Sequence, residues 1–321
     1  MSIPSMSVVM AVYNGAPYLR ETIESVLAQT APDFEFIIVN DGSTEPPVAA
    51  VLSGFAARDA RIRVLAQPHE GLTRALMAGC AAAQGVQIAR IDVGDAMLPE
   101  RLARQRAVLD ADPRLAFVSC WTEICGPRWE PLGVKKEKPT GPAGMPILGP
   151  ARTDWLQSGP THHASVMFRR SAYTAAGGYR AEFYYGQDWD LWYRLAGQGW
   201  FHLLPQVLQR VRVFPEGISS RFHNRQHTFG RLAREAFRAR QCGRSEAPVL
   251  ARAAALRPKP GATGRRSRRG AAEGFYFIAS QLRQNRDPRC REYFRQSLRA
   301  WPLSWRAWAG WMMSAVTKDK T

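Results

Sequence analysis

The first 110 residues alternate short apolar runs with helix-type segments, and this alternation restricts the chain to an α/β architecture. The apolar, β-branched runs cover residues 7–12, 34–39, 61–65 and 86–91. Helical segments are predicted at residues 18–28, 72–83 and 99–110. Because strand–helix–strand connections join parallel strands, the pattern predicts a mostly parallel central sheet flanked by helices. Further strands are predicted at residues 115–120, 164–169 and 207–213.

Polar residues stand where three of the predicted strands end. The first strand runs into Tyr13-Asn14-Gly15, the second into Asn40-Asp41-Gly42-Ser43 and the fourth into Asp92-Val93-Gly94-Asp95. Ligands of open parallel sheets bind beyond the carboxyl ends of the strands, so these side chains are predicted to share one crevice. Neither of the common glycine-rich phosphate loops occurs in the chain. The pattern therefore indicates a nucleotide site of another kind.

Two pairs of carboxylates are the candidates for chemistry in this crevice. Asp92 and Asp95 suit a divalent cation that bridges to a diphosphate, or they form a solvated turn in which Asp95 caps a helix. Asp188 and Asp190 stand at the start of a helix predicted near residues 188–198. Residues two positions apart do not face one another on a helix, so one is predicted to face a site and the other to be structural or solvated.

Histidine and arginine side chains near the predicted site each allow two interpretations. His162 and His163 precede the strand at 164–169 and can bind a metal or a phosphate, or one packs while the other is exposed. Arg74 lies one turn into a helix. It can contact a base or a phosphate, or it is a surface arginine with an apolar stem.

The charge of the chain favours anionic partners. Lys and Arg number 44 against 27 Asp and Glu, a formal net charge of +17, with a dense basic run at residues 265–269. Nucleotides, an acidic membrane surface and nucleic acid all fit this charge. No nucleic-acid-binding motif supports the last of these. Five scattered cysteines and the lack of a signal-peptide pattern or a long apolar run predict a cytoplasmic protein, with peripheral membrane attachment as an option.

Several segments, in order, resemble glycosyltransferase family 2 over roughly residues 5–219. They read SVVMAVYNGAPYLRETIESVLAQT, FIIVNDGST, EGLTRALMAG, ARIDVGDAMLPERLARQ, THHASVMFRRSAYTAAGGYR, YGQDWDLWYRL and QVLQRVRVFPEGIS. The resemblance implies a GT-A fold and an inverting transfer of a sugar, of hexosyl type, from a nucleoside-diphosphate donor to a hydroxyl group. A UDP-sugar donor, a glycan or lipid-linked acceptor and a role in surface polysaccharide or glycolipid synthesis are the expected associations.

The resemblance also assigns roles to individual residues. The nucleotide would be bound by Ala11, Val12, Tyr13, Asp41, Arg74 and Asp92. Mg²⁺ or Mn²⁺ would be held by Asp92 and Asp95. Asp188 would be the general base that deprotonates the acceptor. The acceptor side would include His163, Trp189 and Asp190.

Three positions depart from the family pattern close to the expected pocket. Gly94 stands where the family turn Asp-x-Asp-Asp has its second carboxylate, Met77 where an Asn is frequent, and Gln187 where a Glu is frequent. Each change removes a charge or a polar group. A catalytically weakened nucleotide-sugar-binding protein of the same fold is therefore one alternative, and a basic polyanion-binding module is another.

The last hundred residues differ in composition from the rest, and two domains are predicted, residues 1–217 and 218–321. Helical segments that are rich in basic residues are predicted at 221–241 and 279–300. Trp301, Trp305, Trp308 and Trp311 then follow at the spacing of one helix face. Together with the nearby arginines, this stripe either lies at an anionic membrane surface or packs against protein.

Overall fold

The computed structural model describes residues 4–136, 147–148, 159–215, 223–258 and 268–316. The chain divides into two compact units. Unit 1 comprises Met1–Thr122, Lys135–Val211 and Thr228–Arg257, and unit 2 comprises Glu123–Val134, Arg212–His227 and Pro258–Thr321. The domain boundary predicted after residue 217, and most of the irregular segment between residues 126 and 160, lie outside the described residues.

A mixed sheet forms the centre of the fold and confirms the predicted α/β class. Its strands are β1 Met6–Val12, β2 Phe34–Asp41, β3 Ile62–Gln67, β4 Gln87–Arg90, β5 Ala96–Met97, β6 Leu115–Cys125, β7 Pro131–Lys135, β8 Ile147–Leu148, β9 Met167–Arg169 and β10 Trp200–Arg212. They are ordered β3-β2-β1-β4-β9-β6-β10-β5, with β7 beside β6 and β8 beside β10. The first four strands in this order are parallel, whereas β9 is antiparallel to both of its neighbours.

Helices connect and cover these strands. They are α1 Ala16–Leu27, α2 Pro46–Ala56, α3 Leu72–Ala82, α4 Arg101–Ala111, α5 Arg170–Ala175, α6 Gln187–Leu195, α7 His223–Gln241, α8 Ala247–Ala255, α9 Arg268–Gln284, α10 Cys290–Ala300 and α11 Trp305–Val316. Helix α2 is absent from the sequence prediction because Pro46 and Pro47 resemble a loop. Proline is well suited to the first turn of a helix, where its missing N–H has no helical partner in any case. No helix in the described ranges combines the length and the apolarity needed to cross a bilayer.

Strand β1, in the parallel part of the sheet, is buried on both faces. Val8 and Met10 point into a core shared with α1, where they join Leu19 and Ile23. Val9 points the opposite way, into a core that includes Leu76 of α3. Successive strand side chains alternate between the two faces, so helices must cover both. This double burial fixes the register of the strands and therefore the positions of the polar residues that follow them.

Several predicted elements have different bounds in the structure, and two of them differ substantially. The single helix predicted at 279–300 is wrong, because α9 ends at Gln284 and α10 begins at Cys290. Between them Arg286 adopts a left-handed φ of 56°, and Pro288 follows. Strand β10 begins at Trp200, seven residues before the predicted start, because Pro205 interrupts its apolar pattern.

Candidate active site

The carboxyl ends of β1, β2 and β4 lie at one edge of the sheet, since the three strands are parallel neighbours. Ala11 and Val12 end β1, and Val12 is buried. Tyr13 follows with 48% of its surface exposed. Its ring stacks on His69, with the ring centroids 3.7 Å apart and the planes at 23°. The two rings form an aromatic pair at the sheet edge where a planar base is expected to bind.

Asp41, at the end of β2, is 2% exposed and accepts hydrogen bonds on both carboxylate oxygens. Its Oδ1 accepts from Gln67 Nε2 at 2.7 Å and from the Glu70 backbone N–H at 2.9 Å. Its Oδ2 accepts from the Gly71 backbone N–H at 2.9 Å and lies 2.9 Å from Nδ1 of His69. Asp41 therefore orders the loop that leads into α3 and fixes His69 beneath Tyr13. Contact between Asp41 and a base stays a prediction.

Arg74 lies in the first turn of α3 with a partly exposed guanidinium. Its Nη1 is 3.7 Å from Oε1 of Glu70, one helical turn earlier, and its side chain is 41% exposed. Its Nε is buried and has no hydrogen-bond partner among the described residues. A half-exposed arginine with an unsatisfied donor suits an anionic ligand, and a contact between Arg74 and the nucleotide stays a prediction.

Asp92 follows β4 and is held by Arg90, the last residue of that strand. Arg90 is buried, and its guanidinium donates to both carboxylate oxygens of Asp92, with Nη1 at 2.7 Å from Oδ2 and Nη2 on Oδ1. Burial alone would raise the pKa of Asp92, but the positive charge of Arg90 outweighs it and lowers the pKa below its ordinary value. Asp92 is therefore an anion at neutral pH with a fixed orientation.

The turn from Asp92 to Asp95 is fastened to α1. Thr22 Oγ1 accepts a hydrogen bond from the Gly94 backbone N–H and donates to the Asp95 carbonyl oxygen, both at 2.9 Å. Gly94 adopts a φ of +97°, which a residue with a Cβ rarely takes. The glycine that stands in place of a carboxylate thus suits the tight turn that directs Asp95 inward, where Asp95 is only 4% exposed.

His162 completes an acidic cluster with Asp92 and Asp95. One ligand atom from each of the three residues lies within 4.8 Å of the other two. His162 Nδ1 is 3.9 Å from Asp95 Oδ2 and accepts a hydrogen bond from the Ala164 backbone N–H at 3.2 Å. Burial lowers the pKa of His162 to about 4, so the imidazole is neutral at pH 7. Two carboxylates and a neutral imidazole form a donor set that fits a divalent cation.

His163, which the sequence assigned to the acceptor side, is 9% exposed and packs inside unit 1. Its Nε2 is 2.8 Å from the hydroxyl oxygen of Tyr179, and its ring meets that of Trp192 edge-on. The neighbouring His162 lies beside the carboxylates instead, and metal binding is one of the two alternatives that the sequence leaves open for this pair of histidines. A contact between His163 and an acceptor stays a prediction.

Asp188 and Asp190 have different surroundings, and the division of roles that their spacing predicts stays a prediction. Asp190 is 1% exposed, and its Oδ2 accepts from Arg194 Nη2 at 2.5 Å and Nε at 3.1 Å. Arg194 also donates to the carbonyl oxygens of Ala176 and Gly178. This buried ion pair anchors α6, and a contact between Asp190 and an acceptor stays a prediction. Trp189 packs against Trp192 and Tyr193 on the same helix.

Asp188 is in the first turn of α6 and has no basic side chain bonded to it in the described part of the chain. Its Oδ1 accepts from the Trp189 backbone N–H at 2.9 Å. Burial raises the pKa of Asp188 above its ordinary value, and the negative charge of Asp92 adds to the increase although Arg90 opposes it. A carboxylate that has a raised pKa and whose second oxygen accepts no hydrogen bond from the described residues suits a general base. Arg90 and Asp92 both act electrostatically on Asp188, so the three groups lie near one another in unit 1.

The Arg90–Asp92 pair gives a first prediction. Replacing Arg90 with methionine should cost about 2–3 kcal/mol of unfolding free energy at pH 7. This is less than for a fully buried pair, because the Asp92 side chain is 32% exposed. In the wild type the pair contributes stability above the ordinary pKa of Asp92, and that contribution is lost as pH falls through the lowered value. The loss caused by Arg90→Met, measured by denaturant unfolding, should therefore shrink in acid.

Arg101→Met is the matched control for this experiment. Arg101 is equally buried but donates to the neutral acceptors Gln105, Gln209 and the Val166 carbonyl oxygen. The loss of unfolding free energy caused by Arg101→Met should be the same at acid and neutral pH. An equal, pH-independent loss for both variants would contradict the ion-pair role of Arg90.

Comparison with known proteins gives matches of sequence and of fold. The family model described as Glycosyl transferase family 2 matches residues 7–174. The O-antigen biosynthesis protein RfbC of Myxococcus xanthus is 32% identical over 195 residues, covering 60% of this chain and 14% of RfbC. The amylovoran biosynthesis glycosyltransferase AmsE of Erwinia amylovora is 27% identical over 218 residues, covering 67% of this chain and 79% of AmsE. The matched segments span only 27%, 12% and 14% of the first three curated relatives.

Solved structures of a distant protein share the fold. TarS 1–349 of S. aureus in complex with UDP superposes with a TM-score of 0.53 at 14% identity, covering 98% of this chain and 92% of that one. The complex of TarS 1–349 with UDP-GlcNAc gives a TM-score of 0.55 at 13% identity, with coverages of 97% and 90%. At this identity the similarity establishes the predicted GT-A fold and nothing finer.

Proposed function

Because the chain belongs to glycosyl transferase family 2, we propose that it transfers a sugar, of hexosyl type, from a nucleoside-diphosphate donor to a hydroxyl acceptor with inversion of configuration. One observation carries this proposal. Asp92, Asp95 and His162 offer ligand atoms within 4.8 Å of one another at the carboxyl end of β4. Burial raises the pKa of Asp188, and Asp92 is near enough for its charge to add to that increase. The site thus combines a place for a diphosphate with a candidate base.

The nucleotide would lie along the ends of β1 and β2. Tyr13 and His69 offer a stacked aromatic pair, Ala11 and Val12 offer the end of β1, and Asp41 orders the loop beside them. Arg74 would contact a phosphate or the base with its partly exposed guanidinium. A UDP-sugar is the favoured donor, since S. aureus TarS, which shares the fold, was crystallised with UDP and with UDP-GlcNAc.

A divalent cation at Asp92, Asp95 and His162 would supply positive charge against the departing diphosphate. The donor set favours Mn²⁺ over Mg²⁺, because imidazole nitrogen is a poor ligand for Mg²⁺. Arg90 keeps Asp92 ionised and oriented for this role. His162 is neutral at pH 7 and therefore retains a lone pair for a cation.

Asp188 would take the proton of the acceptor hydroxyl. The hydroxyl oxygen then forms its bond to the anomeric carbon while the bond to the diphosphate breaks, and the diphosphate leaves with the electron pair. A single displacement of this kind inverts the anomeric centre. Because the pKa of Asp188 is raised, its conjugate acid is weaker and the carboxylate is a better proton acceptor than an ordinary aspartate.

The acceptor would be a growing glycan or a lipid-linked sugar in surface polysaccharide or glycolipid synthesis, on the cytoplasmic side of the membrane. RfbC and AmsE are named for O-antigen and amylovoran biosynthesis. Trp189 stands beside Asp188 on α6 and would contact the acceptor.

The test is release of nucleoside diphosphate from a panel of nucleotide sugars, with and without Mn²⁺. We expect at least one donor to be hydrolysed in the presence of Mn²⁺ and Asp188→Asn to slow the release by about 10²–10⁴-fold. Nucleotide binding by calorimetry with no turnover of any donor, with or without Mn²⁺, would contradict transfer. It would favour the weakened binding protein that Gly94, Met77 and Gln187 suggest.

A second prediction concerns the imidazole. His162→Ala should weaken Mn²⁺ binding at least about tenfold, because it removes one of three ligands and metal-site partners contribute about 10–100-fold in affinity. His163→Ala is the matched control, since His163 faces Tyr179. Calorimetric titration with Mn²⁺ in the presence of UDP measures the Mn²⁺ affinity of both variants. Equal losses for the two variants would remove His162 from the ligand set.

A further inference from the structure

Helix α11 of unit 2 buries one face and exposes the other. Ala307 is fully buried, and a Cβ placed on Gly310 would come within 2.4 Å of the Phe294 ring. Trp311 packs against the same core, which is formed by α9 and α10 and includes Phe294 and Leu282. The predicted stripe of four tryptophans is therefore divided. Trp311 turns inward, Trp301 precedes the helix, and Trp305 and Trp308 turn outward.

The outward side of this segment carries six large apolar side chains that are exposed to solvent. We name it the indole face, and it consists of Trp301, Leu303, Trp305, Trp308, Met312 and Met313, with exposed fractions of 37, 80, 76, 45, 57 and 52%. These six side chains are half of the twelve exposed large hydrophobic residues described. A contiguous exposed patch of this kind marks an interaction surface, whereas single exposed apolar residues need no explanation.

Arginines without acidic partners border the indole face. Arg283 and Arg306 line a shallow groove together with Trp305 and Met313. The Arg306 guanidinium lies 5.1 Å from the Tyr276 ring centroid, and Arg283 donates to Met313 Sδ. Neither forms an ion pair with a carboxylate in the described part of the chain. Residues 268–316 hold nine arginines against three acidic residues, so the surroundings of the patch are positive.

We propose that the indole face docks on the surface of an anionic phospholipid bilayer. Indoles favour the headgroup region, where their rings are partly buried and their N–H groups stay near polar atoms. Arginines at the rim then meet the lipid phosphates, and no carboxylate of the patch opposes them. This places unit 2 at a membrane and deepens the proposed function by naming a surface that brings the enzyme to a lipid-linked acceptor.

The test is sedimentation of the full chain with phosphatidylcholine vesicles, with and without phosphatidylglycerol. We expect binding only when phosphatidylglycerol is present, and binding that weakens as salt rises. The double variant Trp305→Ser and Trp308→Ser should bind at least about tenfold more weakly. Arg283→Gln and Arg306→Gln should each cost about fivefold. Val86→Ser, an exposed apolar residue of unit 1, is the matched control and should bind as the wild type does.

Three results would overturn the proposal. They are equal binding to neutral and anionic vesicles, unchanged binding of the tryptophan variant, and a wild-type dimer in light scattering that the tryptophan variant converts to monomer. Circular dichroism checks that each variant folds. Donor hydrolysis measured on the same samples keeps the two proposals separate, because its rate should be unaffected by the surface variants and strongly reduced by Asp188→Asn.

Discussion

Asp188→Asn should lower kcat by about 10²–10⁴-fold, the usual contribution of a positioned general base. Asparagine keeps the size and the hydrogen-bond acceptor of Asp188 but cannot take a proton. The melting temperature should not fall, because burial already disfavours the charge of Asp188, as its raised pKa shows. Steady-state assays of nucleoside diphosphate release and a thermal scan measure the two effects. Full activity in the variant would show that another group accepts the proton.

The wild-type pH profile should agree with this assignment. The carboxylate form of Asp188 is needed, so activity should decline on the acid side as pH falls towards a pKa that lies above the ordinary value of 3.8. That acid limb should disappear from the residual activity of Asp188→Asn. If the pH profile of Asp188→Asn keeps the acid limb, that limb reports the titration of a different group.

Asp190→Asn, two residues along the same helix, should have the opposite effects. It breaks an ion pair in which Asp190 is 1% and Arg194 3% exposed. Removing one partner of such a pair costs about 3–5 kcal/mol, because the other charge is left buried without compensation. The melting temperature should drop by about 6–20 °C for a unit of this size. Denaturant unfolding gives the free energy directly.

The two substitutions control for each other, since both change an aspartate to an asparagine on α6. Asp190→Asn, assayed well below its melting temperature, should keep most of its turnover. If Asp190→Asn lowers the unfolding free energy by less than about 1 kcal/mol, as expected for an exposed ion pair, Asp190 does not anchor α6. Loss of turnover in a fully folded Asp190→Asn sample would indicate that Asp190 takes part in catalysis.

Residues of the site that follow parallel strands could be located from the sequence. Asp41 and Asp92 stand directly after buried apolar runs, and the carboxyl ends of β2, β1 and β4 necessarily share an edge. The different surroundings of Asp188 and Asp190 also follow from helix geometry. The partner of Asp190 is four residues further on, a spacing that the sequence displays and that helical ion pairs use.

Residues brought in by tertiary pairing could not be located in this way. His162 reaches the acidic turn because β9 is antiparallel to β4, with Met167 opposite Ala89, so the residues before β9 run alongside those after β4. Nothing local in the sequence reveals that pairing. In the sequence Arg90 is a single polar residue within an apolar strand. Its burial is possible because its charge is paired with Asp92, and the sequence does not show that contact. The direction of Trp311 similarly depends on the core around Phe294, which helical spacing alone does not show.

The most direct test of the account is a crystal soaked with Mn²⁺ and UDP, with anomalous diffraction data collected at the manganese edge. The account predicts one manganese peak flanked by Asp92, Asp95 and His162, with the diphosphate beside it and the uracil near Tyr13. A manganese peak elsewhere, or UDP bound away from the ends of β1, β2 and β4, would contradict it.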